Sequence, residues 1–219
     1  MTGGGIVAAL LATAFVLGCG GAATDDAAVQ PLRVQRGPAN VLLVVDSSEE
    51  MDGGRLARAR AGLDALVRAM PAADRVGLAR FSEQLEPLVP VAGAGRNRRR
   101  LRTAIASLRP GGDSAVYDAT LQAYGIQREL SAGRHLDTVV VLAHGEDSAS
   151  RSSFARVRRL LGAQGGDARV RVFTIAYDTD PAAGIREAFR AFARAAGGRA
   201  YAAGPADVGS VLRTVWKSL

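Results

Sequence analysis

The feature that most constrains this chain is an alternation of two kinds of segment. Six short apolar runs, at residues 41–46, 75–82, 85–91, 138–142, 170–177 and 199–203, have the content of strands. Between and after them, residues 55–70, 98–108, 115–130, 152–164, 181–196 and 206–218 repeat Leu, Ile, Val, Phe or Ala at three- and four-residue spacing. Strands interleaved with amphipathic helices predict a mostly parallel sheet covered by helices. One interval breaks the rule: FSEQL, Phe81 to Leu85, is too short for a helical crossover. Residues 75–91 are therefore expected to form a hairpin with one antiparallel strand. The predicted class is α/β, a doubly wound, mostly parallel six-stranded sheet with one antiparallel edge strand and helices on both faces.

The alternation starts near Ala39. Ahead of it, the first eighteen residues carry no charged side chain, and IVAALLATAFVLG, Ile6 to Gly18, is apolar throughout. That run falls short of the about 20 residues of a spanning helix and suits the apolar region of a signal peptide. VLGC, Val16 to Cys19, resembles a bacterial lipobox, in which the signal is cut before a cysteine that then carries lipid. Cys19 is the only cysteine, so no intrachain disulfide can form. No Lys or Arg precedes Ile6, and Val16 is less common there than Leu, so an ordinary secretory signal with an incidental cysteine is the alternative. The expected division is a signal at 1–18, a small and polar tether at 19–38, and a folded domain at 39–219. The expected location is across the inner membrane, lipid-anchored in the cell envelope through Cys19.

Loops at the carboxyl ends of parallel strands gather in one crevice. Three polar loops belong to that edge: DSSEEMDGG at 46–54, GGDSAVYDA at 111–119 and AHGEDSAS at 143–150. Asp113 and Asp147 read as turn residues. Trp216 reads as a core anchor, Tyr117 and Tyr124 as packing against the sheet, His135 as a surface residue, and Asp178 as the occupant of a left-handed turn. The net charge of +7 is densest in RNRRRLR, Arg96 to Arg102. No aromatic residues interleave with it, so a solvated helix face is expected and no nucleic acid partner, with docking on anionic lipid as the alternative. The chain has no Gly-x-x-x-x-Gly-Lys phosphate loop, and MDGG is not a dinucleotide loop.

Several segments in order resemble a von Willebrand factor type A domain from about Asn40 to Leu219. DRVGLARFSEQLEPLVPV matches its central hairpin, GGDSAVYDAT its second metal loop, VVVLAHGEDSAS its third, and VRVFTIAYDTD with AFARAAGGRAYAAGPADVGSVL its last strands and helix. The resemblance implies a divalent cation held by an Asp-x-Ser-x-Ser loop, a Thr of the second loop and an Asp of the third, with an open position for a partner's carboxylate. Asp46 and Ser48 match, and Ser114 keeps the hydroxyl of the Thr. Glu50 replaces the second Ser and His144 the third-loop Asp. Magnesium wants near-ideal octahedral oxygen coordination, so this set compromises it.

Three readings stay open at this point. The metal is lost and protonated His144 pairs with Asp46 or Glu50; or Asp46, Glu50 and His144 take zinc or manganese; or weak magnesium binding persists. The partner-binding residues expected are Asp46, Ser48, Glu50, Ser114 and His144, with no cofactor or at most a divalent metal. The implied function is a non-enzymatic, adhesion-type module at the bacterial cell surface that binds a protein partner. The alternatives are a structural domain of envelope assembly and, remotely, a serine hydrolase built on Gly-Asp-Ser at 112–114.

Overall fold

Side chains alternate across the first strand, and both sides are apolar. In β1 (Ala39–Asp46), Val41, Leu43 and Val45 join one buried cluster while Leu42 and Val44 join the other. A strand buried on both faces has to lie inside the sheet, with helices above and below. The computed structural model describes residues 38–131, 136–163, 170–180 and 183–219, and shows this arrangement. Of the signal and tether expected at 1–38, all but Pro38 lie outside the described residues, as do Cys19 and His135.

After β1 come α1 (Arg55–Ala69), β2 (Arg75–Phe81), β3 (Leu85–Gly93), α2 (Ala94–Ser107), α3 (Val116–Leu130) and β4 (Leu136–Ala143). Then follow α4 (Phe154–Gly162), β5 (Val170–Tyr177), α5 (Gly184–Ala195), β6 (Ala200–Ala203) and α6 (Val208–Lys217). The sheet order is β3-β2-β1-β4-β5-β6. Every neighbouring pair is parallel except β2 with β3. The first core packs α1, α2 and α6 on one face, through Leu63, Leu101 and Leu212 among others. The second packs α3, α4 and α5 on the other, through Ala119, Leu161 and Phe189.

Helix α2 begins four residues before the sequence pattern suggests. AGRN is a poor helix opening by propensity, but the buried Asn97 donates from Nδ2 to the carbonyls of Val76 and Pro90, at 2.9 and 2.8 Å, and so fastens the first turn to the hairpin. Tertiary hydrogen bonds override propensity here. A short 3-10 turn, Glu49–Met51, is an addition that no period announces. Trp216 is 7% exposed and donates from Nε1 to Asp74 Oδ2, a core anchor as expected.

The junction of α5 and β6 depends on close approach. A Cβ added at Gly198 would collide with the main-chain carbonyl of Val172. Backbone cannot swing aside as a side chain does, so Gly198→Ala is expected to pry β6 from β5 and cost about 1–3 kcal/mol. Urea denaturation reads this as a lower midpoint; an unchanged midpoint would contradict it.

Candidate functional site

β1 delivers Asp46 to the carboxyl edge of the sheet with no exposure to solvent. Its Oδ1 accepts the Ser48 N–H at 2.8 Å, which bends the chain back on itself, and its Oδ2 accepts the His144 N–H at 3.2 Å. One carboxylate thereby ties the loop after β1 to the loop after β4. The middle loop is sewn in by backbone. Gly111 N–H donates to the Ser47 carbonyl and Glu49 N–H to the Gly112 carbonyl, each at 2.9 Å. The Ser114 carbonyl accepts from Ser148 and Ala149 N–H at 2.8 and 3.0 Å, and Ser114 N–H donates to Ser148 Oγ at 3.0 Å. The convergence expected from topology is thus physical contact.

Two hydroxyls in this knot have no use within it. Ser48 Oγ and Ser114 Oγ are buried and make no hydrogen bond, a costly condition for a polar atom. Glu50 stands at the rim instead, exposed, its carboxylate lying against Gly145 so closely that a Cβ there would collide with Oε2. Only a glycine on the third loop leaves room for it.

His144 departs from the expected ion pair. Its ring Nδ1 lies 2.9 Å from the Tyr177 carbonyl, which can only accept, so Nδ1 carries the proton. Its contact with Asp46 runs through the backbone N–H, and among the described residues no ion pair joins His144 to Asp46 or Glu50. The reason is direction: where β4 ends, the main-chain N–H faces β1 and the side chain faces β5. Asp46 accepts two main-chain N–H groups and makes no hydrogen bond with the His144 ring.

Several participants carried no sequence signal of their own. Glu146 Oε1 accepts the Ile185 N–H at 3.1 Å at the start of α5, and Arg55 Nε meets Asp178 Oδ2 at 2.8 Å. Tyr177 OH donates to the Arg55 carbonyl at 3.3 Å. Asp178 has φ 53°, the left-handed turn expected of it. Asp147 Oδ1 accepts Tyr117 N–H at 3.1 Å, an anchoring of α3 that explains an acid in a turn position. Beside the knot, Glu50, Arg55, His144, Glu146 and Thr179 line an open pocket of about 350 Å³.

Burial pushes the Asp46 carboxyl above its ordinary range, against the hydrogen bonds from Ser48 and His144 and the His144 charge. Glu50, although exposed, is raised by partial desolvation of its carboxylate, then by the Asp46 charge and Glu146, while His144 and Arg55 oppose. Asp118 moves the other way. Burial alone would raise it, but hydrogen bonds from Ser152 and Arg151 prevail and hold it low. Asp46 and Glu50 therefore bind a proton more tightly folded than unfolded. Their contribution to stability is complete below about pH 4 and lost as pH rises through their folded values; that of Asp118 is present above about pH 4 and lost below it. Glu50→Gln is accordingly expected to melt higher than the parent at neutral pH and to show no advantage at about pH 4. A parent that melts higher than the variant at neutral pH would contradict this.

Residues 41–146 match the von Willebrand factor type A domain in sequence. The fold is that of a von Willebrand factor type A domain. No curated protein matches it in sequence. Among solved structures, a von Willebrand factor type A protein from Catenulispora acidiphila superposes with a TM-score of 0.67 at 18% identity, over 81% of this chain and 42% of that one. The corresponding domain of the type V pili tip protein Mfa5 from Porphyromonas gingivalis gives 0.67 at 12% identity, over 84% and 95%. Proximal thread matrix protein 1 of the mussel byssus, solved with a zinc-occupied MIDAS motif, gives 0.65 at 12% identity, over 82% and 47%. The chain spans less than half the length of the first and third of these. Identities this low show a shared fold.

The residues here do not fit the magnesium ion the family resemblance implies. Asp46 and the two unpartnered hydroxyls are suitable oxygens, but the Glu50 carboxylate stands over Gly145 and an imidazole bonded to a carbonyl replaces the second acid. Among the described residues, no three of His, Cys, Asp and Glu come together as metal ligands, which also leaves the expected zinc or manganese set of Asp46, Glu50 and His144 unassembled.

Proposed function

We propose that this domain is a non-enzymatic, adhesion-type binding module whose loop face, Asp46, Ser48, Glu50, Ser114 and His144, recognises a protein partner in the bacterial envelope. The observation that carries the reading is the placement of Glu50. Its exposed carboxylate lies against Gly145 of the third loop, and in this reading it takes the place that the family resemblance leaves for a partner's acid. The domain supplies that acid itself, so the face binds without an acidic residue from outside. The fold it shares with a pilus tip protein supports adhesion as the class. Hydrolysis finds no support, because Ser114 Oγ has no partner and the His144 ring is bonded to Tyr177, which leaves no serine–histidine couple among the described residues. Secretion and a lipid on Cys19 belong to the same proposal.

A photo-crosslinking residue at the exposed Glu49, in the full chain in its own cells, is expected to trap one partner protein. Glu50→Lys, at an exposed position that leaves the fold intact, and His144→Ala should abolish the adduct. Trapping that ignores both substitutions would favour a structural role in envelope assembly.

A further inference from the structure

The arginine cluster of α2 takes no part in the loop face. Helical spacing turns Asn97, Leu101 and Ile105 inward and leaves Arg96, Arg99, Arg100 and Arg102 exposed. Two of the cluster's five arginines have internal tasks. Arg98 donates to the Met70 carbonyl at 2.6 Å, and Arg102 Nε meets Asp64 Oδ1 at 2.7 Å. Arg96, Arg99 and Arg100 have no carboxylate within ion-pair distance among the described residues. A shallow groove of about 640 Å³ runs beside them, lined by Gly95, Arg98, Arg99, Arg102 and Thr103, with room for phosphate groups.

Position gives this charge a meaning that composition alone does not. Asp74 fastens the start of α2 and the start of the sheet to one point: its carbonyl accepts Ala94 N–H at 2.6 Å and its Oδ1 accepts Ala39 N–H at 3.0 Å. Ala39 is where the chain enters the domain, after a polar stretch that follows the apolar run at 6–18. The loop face lies at the other end of β1, about 23 Å away at about 3.3 Å per residue. The start of α2 and the entering chain thus share one pole, and from there the helix runs along the flank of the sheet toward the binding loops, where Gly111 N–H meets the Ser47 carbonyl.

We propose that Arg96, Arg99 and Arg100 dock this flank of the domain on an anionic lipid surface. Guanidinium groups suit phosphate bidentately, and a basic cluster beside a membrane is attracted by anionic headgroups at short range. Docking is independent of lipidation. The charge belongs to the folded domain, whereas Cys19 supplies only attachment.

The test places the full chain on phosphatidylcholine vesicles with and without phosphatidylglycerol and follows amide hydrogen exchange. Exchange in α2 is expected to slow only on the anionic vesicles, with α4 unaffected although it too exposes Arg156, Arg158 and Arg159. Each arginine near such a surface contributes about fivefold to the docking equilibrium, so R96E/R99E/R100E, which reverses the three charges, should lower it by at least about 100-fold and abolish the slowing. Circular dichroism confirms that the variant folds. Equal slowing in α4, slowing that ignores lipid composition, or slowing that survives the triple substitution would overturn the proposal. Cys19→Ser, with the mass of the mature chain, separates loss of anchoring from loss of docking.

Discussion

Glu50→Ser combined with His144→Asp is expected to give the domain a magnesium affinity at least about tenfold above that of the parent, about 1.4 kcal/mol. Ser48 Oγ and Ser114 Oγ are buried, unpartnered and ready to serve as oxygen ligands. Serine at position 50 would withdraw the carboxylate from Gly145 and add a third hydroxyl. Aspartate at 144 would supply a second acid beside Asp46 while keeping the main-chain N–H that Asp46 accepts at 3.2 Å. The two changes work together. His144→Asp alone leaves Glu50 in place beside two buried acids, and Glu50→Ser alone leaves one acid to balance a doubly charged ion. Calorimetric titration with MgCl₂ reads the gain. No heat from the double variant, or equal binding by Glu50→Ser alone, would show that the ligand set has been assigned wrongly.

Phe192→Ala is expected to cost about 3–5 kcal/mol, the range for emptying a buried aromatic site. Phe192 is fully buried, meets Tyr117 edge-on at 5.3 Å and stacks on Phe154 at 5.5 Å. These three rings hold α3, α4 and α5 together. Tyr117 also has its N–H on Asp147 of the third loop, so loosening the rings loosens the loop face. At about 2–4 °C per kcal/mol for a domain of this size, the melting temperature should fall by about 10 °C. A loss under about 1 kcal/mol would contradict the role of Phe192 in holding the three helices together.

The sheet was legible because its signals are local. β-branched runs such as VLLVVD and VRVFTIAY can pack on both faces only as interior strands, and FSEQL permits only a hairpin. The loops were legible from topology, since strand ends meet at one edge whatever their distance along the chain. The side-chain directions were not. Nothing in AHGEDS reveals that His144 turns its N–H to Asp46 and its ring to Tyr177, because that depends on where β4 and β5 end relative to one another. Glu50 shows the same limit. Its reach beyond serine is plain from the sequence, but that its carboxylate lies at the rim against Gly145 depends on how the first and third loops meet. Glu146 and Arg55 were missed because each acts on a backbone or a partner far along the chain.

The most direct measurement of the central claim is elemental analysis of the purified parent domain after equilibration with magnesium, manganese and zinc and removal of the free ions. With an internal carboxylate on Gly145 and an imidazole committed to Tyr177, each metal should remain well below one ion per chain. One equivalent of magnesium, lost on Asp46→Ala, would contradict the account.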